Sequence, residues 1–209
     1  MIVSTDIASL LASNQAREQM FADYREGRSP GIPNYDLEHT DLSAFACLVI
    51  TNGADQRYLY QHRAQLESYL ALGGKIAFSG HVAYPFLGML KPFVPTAENG
   101  LAGLQVHCLG QHPIWAGIEG ADLTFRKGVA GFYGRGYNPP PAGAVVINEL
   151  GTKERLPLDW EYTTPEGGVL LAHAGNDFLS FANAPSAQGM RRAFFQWAVA
   201  PVLQEHHVC

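Results

Sequence analysis

The sequence predicts an α/β domain with a mostly parallel central sheet, and three observations support this prediction. Predominantly apolar runs at 46–51, 75–78 and 169–172 are typical of strands buried on both faces of a sheet. A segment with one apolar stripe at helical spacing separates the first two runs. A strand, a helix and a strand at such short spacing form a βαβ unit, and these units build parallel sheets.

The composition indicates one globular domain spanning residues 1–209. Of the 209 residues, 47% are apolar and 16% are charged, which is a balance that supports a sizeable core. The formal net charge of −5 and the lack of a Lys/Arg block argue against a nucleic-acid partner, since phosphate binding depends on basic side chains. No apolar run approaches about 18 residues and residues 1–6 lack a signal-peptide pattern, so we expect a cytoplasmic protein without a membrane partner.

The three cysteines do not predict a disulfide framework or a zinc knuckle, because their number is odd and none are closely spaced. Cys47 lies inside the first apolar run and is expected to be a small buried core residue. Cys108 follows His107, but neighbours along a strand point to opposite faces of the sheet. This pair therefore does not predict a catalytic dyad.

Apolar stripes predict several helices. The first is expected after a short strand at 2–4, and its apolar face consists of Ile7, Leu10, Leu11, Phe21 and Tyr24. The second has a stripe of Leu59, His62, Leu66, Tyr69 and Leu70. It ends at Gly73-Gly74, since glycine commonly occupies the position after a helix. Pro85 suits the first turn of a third helix that runs to Leu90. The last stripe consists of Met190, Ala193, Phe194, Trp197 and Ala198.

The middle of the chain is rich in glycine and proline and predicts strands joined by long loops. We expect a strand at 104–108 and further strands between 128 and 141. Another strand is expected at 144–147, and one at 156–162 is expected at an edge of the sheet. The segment Asp159-Trp160-Glu161 would then form an acidic and aromatic rim, with packing of Trp160 as the alternative.

Polar segments follow three of the predicted buried strands. They are 52–55, 79–81 and 173–177, and two of them carry a histidine, His81 and His173. Ligands of open α/β sheets bind beyond the carboxyl ends of the strands, so we expect these segments to form a site. Asn52 and Asp55 are candidate ligand-binding residues. Ser79 and Gly80 are candidates too, because backbone N–H groups at the start of a following helix would bind an anion.

The order of these elements resembles the class I glutamine amidotransferase-like fold. The segment Gly74-Lys75-Ile76-Ala77-Phe78-Ser79-Gly80-His81 is similar to the strand and nucleophile elbow of that family, with His81 at the position of its cysteine. A histidine in place of the elbow cysteine resembles the pattern of the ThuA-like (trehalose-utilisation) branch of this fold. The segments Gln111-His112-Pro113-Ile114-Trp115-Ala116-Gly117-Ile118 and Gly167-Gly168-Val169-Leu170-Leu171-Ala172-His173 also resemble that branch. The resemblance extends from about Ser43 to Val199.

This resemblance implies a fold and a set of candidate catalytic residues. The fold would be a three-layer α/β/α sandwich of the flavodoxin-like type. His173 matches the catalytic histidine of the family, and Asp177 or Asn176 lies near the place of its acid, although the spacing differs. Hydrolysis of glutamine requires a thiolate nucleophile, and an imidazole at position 81 does not replace it. We therefore expect no glutaminase activity.

The two histidines allow several kinds of chemistry. Imidazole titrates near neutral pH and suits general acid–base catalysis on a small polar metabolite such as a sugar. A divalent metal held by His81, His173 and either Asp55 or Asp177 is a weaker alternative. Because no histidine pair has i, i+4 spacing, we expect no resident metal or other cofactor. The remaining alternative is that both histidines are satisfied turn residues without a chemical role.

Tyr133, Arg135 and Tyr137 lie in a Gly-rich segment. This pattern predicts a lid that holds a sugar or carboxylate by stacking and by bidentate hydrogen bonds. An ordinary exposed loop is the alternative. Two functions follow from the whole sequence. One is a ThuA-like enzyme acting on a sugar or a similar metabolite. The other is a non-catalytic binding or scaffolding protein that retains the fold. A homodimer is the default expectation for such a domain.

Overall fold

The computed structural model describes residues 7–11 and 31–201, and in these ranges the main sheet has eight strands. In chain order they are β1 (Ile7–Leu11), β2 (Gly31–Pro33), β3 (Cys47–Ile50), β4 (Lys75–Ser79), β5 (Val106–Cys108), β6 (Val145–Leu150), β7 (Leu156–Thr163) and β8 (Val169–His173). Their spatial order is β2-β1-β3-β4-β8-β7-β6-β5.

The sheet is mixed, because its two halves run differently. The five strands from β2 to β8 in this order pair in parallel. The pairings β8-β7, β7-β6 and β6-β5 are antiparallel. The predicted α/β class is thus confirmed, with a parallel half that is continued by an antiparallel one.

The described residues include four short α-helices, of which three lie between strands and one follows β8. They are α1 (Gln56–Gln61), α2 (Arg63–Ala71), α3 (Gly120–Thr124) and α4 (Met190–Val199). Short segments of 3-10 helix occur at Asn34–His39, Leu42–Ala44, Gly100–Leu104, Pro113–Trp115, Phe178–Phe181 and Pro185–Ala187. Two short antiparallel ribbons pair Val94–Pro95 with Gly136–Tyr137 and Phe125–Arg126 with Val129–Ala130. No helix in the described ranges combines the length and apolar character needed to cross a bilayer.

The core consists of two clusters, and alternate residues of the same strands belong to different clusters. Cys47, Val49 and Ala77 belong to one cluster, together with Phe194 of α4. The intervening Leu48, Ile50, Ile76 and Phe78 belong to the other, together with Leu59 and Leu66 of α1 and α2. Alternation along a strand sends successive side chains to opposite faces, so the buried strands are covered on both faces. Burial raises the pKa of the Cys47 thiol to about 12, as expected for a core residue.

Three predicted elements are different in the structure. Residues 7–11 form strand β1 and not a helix, because pairing with β2 and β3 outweighs a local apolar pattern of helical spacing. The predicted strand at 2–4, together with Phe21 and Tyr24, lies outside the described residues. Residues 85–90 are irregular and not helical. The strand at 156–162 is β7, which is interior and not at an edge, since it pairs with both β8 and β6.

Candidate functional site

The three polar segments predicted to meet do lie together at one edge of the sheet. Register pairs Ile50 with Phe78 and Ser79 with His173, so β3, β4 and β8 end side by side. The Asn52 side-chain amide donates to Oδ1 of Asn176 over 3.2 Å. The Gly80 N–H donates to the carbonyl oxygen of His173 over 2.9 Å.

Gly80 makes the reversal that follows β4. Its φ is +144°, and a Cβ there would come within 3.2 Å of the Asn52 backbone and of the Phe78 ring, so glycine is required. The prediction that Ser79 and Gly80 offer N–H groups to an anion is wrong for Gly80, whose N–H is engaged by His173. Ser79 is buried. The helix that was expected to supply further N–H groups is absent from 81–90.

Two side chains from distant segments hold the turn after Gly80. Buried Asn138 donates to the carbonyl oxygen of Gly80 over 2.8 Å and accepts from the Val82 N–H over 3.0 Å. Gln56 accepts from the N–H groups of Ala83 and Tyr84 over 2.8 and 3.2 Å. Its amide also donates to the carbonyl oxygen of His81 over 2.8 Å. Sequence reasoning missed both residues, because no local pattern links them to Gly80.

His81 projects from this turn and is exposed. Its ring stacks on Phe93 with a centroid distance of 3.6 Å and an interplanar angle of 11°. Partial burial lowers the pKa of His81, and the positive charges of His173 and Arg135 lower it further. The neutral imidazole, which can accept a proton, is therefore favoured near neutral pH.

His173 lies at the same edge but in a different environment. Its ring is fully buried, and Nδ1 is 2.5 Å from Oδ1 of Asp159, the residue that faces it on β7. Oδ2 of Asp159 accepts from Asn148 over 2.7 Å and from the Tyr133 hydroxyl over 3.3 Å. The Tyr133 hydroxyl also accepts from the Trp115 indole over 2.8 Å. These five side chains form one buried polar network.

The other ring nitrogen of His173, Nε2, has no hydrogen-bond partner among the described residues. The ring of Tyr133 lies over His173 with a centroid distance of 4.5 Å. A Cβ at Gly175 would lie 2.7 Å from Nε2 and would overlap the carbonyl oxygen of Tyr133. A ligand therefore reaches Nε2 only after Tyr133 or the chain at Gly175 moves.

The acidic candidates have roles other than those predicted. The carboxylate bonded to His173 belongs to Asp159, whereas Asp177 accepts from the Leu179 N–H and caps the turn at Phe178–Phe181. Asp55 caps α1. Hydrogen bonds from the Tyr58 backbone and the Tyr35 hydroxyl lower the pKa of Asp55.

The predicted lid and rim also require correction. Tyr133 is buried and carries the network above, so it is not an exposed lid residue, while Arg135 of the same segment is exposed. Asp159 and Trp160 are both fully buried and do not form a rim, because β7 is interior. In the described ranges, no group of three His, Cys, Asp or Glu side chains is arranged to hold a metal ion.

Comparisons with known proteins bear on the class of fold. No family model matches the chain, and no curated protein matches it significantly. The cytoplasmic protein STM3548 from Salmonella typhimurium superposes with a TM-score of 0.58 at 10% identity, covering 92% of this chain and 97% of that one. This likeness shows a shared α/β fold over nearly the whole chain, and at such low identity it shows the fold alone.

Two further solved structures are similar over a comparable length. The mmIFT52 N-terminal domain has a TM-score of 0.47 at 10% identity, with coverage of 94% of this chain and 98% of that domain. A ThuA-like protein from Bacteroides uniformis has a TM-score of 0.47 at 13% identity, with coverage of 94% and 91%. Both superpose too loosely to support a functional argument.

Proposed function

We propose that this chain is a glutamine amidotransferase-like, ThuA-like three-layer domain that binds a small polar metabolite, such as a sugar, at the edge formed by 52–55, 79–81 and 173–177. The observation that carries the proposal is His81, an exposed imidazole on a turn whose backbone is fixed by Gln56 and Asn138. A functional group held by a rigid scaffold meets its ligand at low entropic cost.

The chemistry available at this edge is acid–base and not nucleophilic. His81 can accept or donate a proton close to neutral pH. Asn52 and Asn176 supply amide groups that suit ligand hydroxyls. The two cysteines that the structure describes, Cys47 and Cys108, lie away from the turn, and burial raises the pKa of each to about 12. These features support a function without glutaminase activity.

His173 supports the proposal as a positioning residue. Its carbonyl oxygen holds the Gly80 N–H, and its ring is oriented by Asp159 from the neighbouring strand. His81 is the imidazole that meets the ligand, and His173 fixes the turn that presents it. A role for His173 in proton transfer would require Tyr133 to move away from its ring.

A non-catalytic binding or scaffolding role is the second candidate, and one observation favours it. His173 is fully enclosed by Tyr133 and Gly175, so one of the two predicted catalytic imidazoles is sealed from solvent. A domain that retains the fold and only binds its ligand has no need for an accessible second imidazole.

A ligand screen by NMR tests the proposal. Neutral sugars, sugar acids and sugar phosphates are added to the isotope-labelled protein, and amide signals of Asn52, His81 and Asn176 are expected to shift together. His81→Ala should weaken binding of any hit, whereas His39→Ala, a change at an exposed residue paired with Glu38, should not. Turnover of a bound compound would identify an enzyme. Binding without turnover would support the non-catalytic binding or scaffolding role. The proposal is wrong if no compound shifts these signals.

A further inference from the structure

We infer that the metabolite carries a carboxylate or phosphate group and that this group binds between His81 and Arg135. The inference rests on the proposed function, since it places part of the same ligand at the same edge. A guanidinium and an imidazole that can gain a proton together favour a negatively charged group.

Phe93 connects the two side chains in space. One face of its ring stacks on His81. The ring also lies against the backbone of Gly136, where an added Cβ would be 2.6 Å from Cζ of Phe93. Arg135 directly precedes Gly136 on the ribbon that pairs with Val94–Pro95, and its carbonyl oxygen accepts from the Thr96 N–H over 3.0 Å. Phe93 thus contacts both His81 and the residue that follows Arg135, and the charge of Arg135 acts on the His81 ring.

Arg135 is held in a way that leaves part of its guanidinium for a ligand. Its Nε donates to the carbonyl oxygen of Gly131 over 2.8 Å, which orients the planar group. The side chain is exposed, and among the described residues no carboxylate forms an ion pair with it or with His81. A guanidinium binds carboxylate and phosphate oxygens through two parallel N–H groups.

The electrostatics of the edge favour an anion over a neutral ligand. The charged groups that act on His81 are Arg135 and His173, which are both basic, and together they lower the pKa of its ring. A bound anion would offset this repulsion and favour the imidazolium. Arg135 is a permanent cation, and His81 becomes a second one when a bound anion favours its protonation, so an anion supplies the counter-charge that no described carboxylate supplies to either side chain.

The test uses inorganic phosphate and citrate as probes, with chloride at equal ionic strength as the reference. The ring signals of His81 are expected to shift saturably with either anion, and the pKa of His81 should rise. Arg135→Gln should weaken phosphate binding by about tenfold or more, because a charge-assisted pair is lost. Arg135→Lys should have an intermediate effect, since it keeps the charge without the planar fork. Arg192→Gln, at an exposed residue of α4, is the matched control and should leave binding unchanged.

The outcomes separate this inference from the proposal beneath it. Neutral sugars that shift the edge signals while phosphate and citrate do not would overturn the inference and leave the proposed function intact. If no probe shifts the signals of Asn52, His81 and Asn176, the inference and the proposed function are both wrong. A phosphate response that does not saturate, or that is equal in Arg135→Gln, would show ionic screening alone and would also overturn the inference. An unchanged backbone spectrum shows that the variant is folded.

Discussion

Asp159 is the residue on which the buried network depends. It accepts hydrogen bonds from His173, Asn148 and the Tyr133 hydroxyl, and all four side chains are fully buried. Its removal would leave three buried polar groups without their acceptor, and each such group costs about 1–3 kcal/mol. The sequence reading placed Asp159 in an exposed rim, since nothing local to it indicates a partner 14 residues away.

We predict that Asp159→Ala lowers the free energy of unfolding by about 3 kcal/mol or more, because three buried polar groups lose their acceptor. Urea denaturation monitored by tryptophan fluorescence measures this change. Glu166→Ala, at an exposed residue, is the control and should stay within about 0.5 kcal/mol of the parent protein. An equally small effect of Asp159→Ala would show that the network does not stabilise the fold.

The pKa of His81 is a second quantity that belongs to a single residue. Partial burial and the charges of His173 and Arg135 lower it from the ordinary value of 6.5, so the folded state binds a proton less readily than the unfolded state. The neutral His81 ring therefore makes its full contribution to the free energy of unfolding above pH 6.5. This contribution decreases as the pH falls through the folded-state pKa. We predict that Arg135→Gln raises the pKa of His81, which NMR titration of the ring signals measures. A pKa that is unchanged or lower would contradict the proximity of the two groups.

The turn from Gly80 to Tyr84 acts as one element, although it has no regular secondary structure. Asn138 fixes its start by two hydrogen bonds, and the carbonyl oxygen of Asn138 is in turn held by the Trp160 indole over 2.8 Å. We predict that Asn138→Ala destabilises the protein by about 2–4 kcal/mol, because a buried donor and acceptor lose their partner. Hydrogen exchange of the Val82 amide should become faster. Exchange at the parental rate would show that Asn138 does not hold the turn.

The C-terminal helix α4 is anchored by a second polar cluster on the sheet. Lys75 donates to the carbonyl oxygens of Trp197 and Ala200 over 2.5 and 2.7 Å, near the end of α4. Glu161 accepts from the Trp197 indole over 2.8 Å and lies 3.2 Å from Nε2 of His112. Burial alone would raise the pKa of Glu161, but these hydrogen bonds and the nearby charges of His112 and Lys75 outweigh it and lower the pKa.

This lowered pKa predicts how stability depends on pH. A carboxyl group whose folded-state pKa is below 4.5 contributes stability above pH 4.5, and this contribution is lost as the pH falls through the folded-state value. We predict that Glu161→Gln reduces the acid-induced fall in the melting temperature between about pH 6 and about pH 3. Glu119→Gln is a suitable control, since Glu119 is an exposed residue. A fall equal to that of the parent protein would exclude Glu161 as a source of acid sensitivity.

Elements were predictable from the sequence where burial is uniform. The strands β3, β4 and β8 consist mostly of apolar residues, and α4 has a regular apolar stripe, so local pattern and tertiary environment agree. Residues 7–11 and 85–90 were misread because their conformation is decided by non-local partners. For residues 7–11 the partners are the strands β2 and β3. For residues 85–90 the partner is the Gln56 side chain, which binds the N–H groups of Ala83 and Tyr84 just before this segment.

At the scale of the whole molecule, the sheet order explains why the predicted histidines were found and their partners were not. Parallel pairing of β4 with β8 brings Gly80 and His173 to one edge, as the rule for open α/β sheets predicts. The acid comes from β7, which pairs antiparallel with β8 and places Asp159 opposite His173. A search for an acid shortly after His173, guided by the family resemblance, selects Asp177 and misses this cross-strand partner.

The whole architecture also predicts that a cysteine at position 81 would not create a glutaminase. Such chemistry needs a thiolate, an accessible base and free N–H groups for the developing oxyanion. The N–H groups of Val82, Ala83 and Tyr84 are already bound by Asn138 and Gln56, no helix follows the turn, and the His173 ring is sealed.

We therefore expect His81→Cys to release no ammonia from glutamine above the rate of the parent protein, as measured by a coupled ammonia assay. Alkylation by iodoacetamide, identified by peptide mass spectrometry, shows that the new thiol is accessible, so that a lack of activity reflects the missing base and oxyanion donors. Gln56→Ala combined with His81→Cys frees two of the three amides, and it should still be inactive while Tyr133 covers His173. Ammonia release that iodoacetamide abolishes, in either variant, would show that the turn is a working nucleophile elbow.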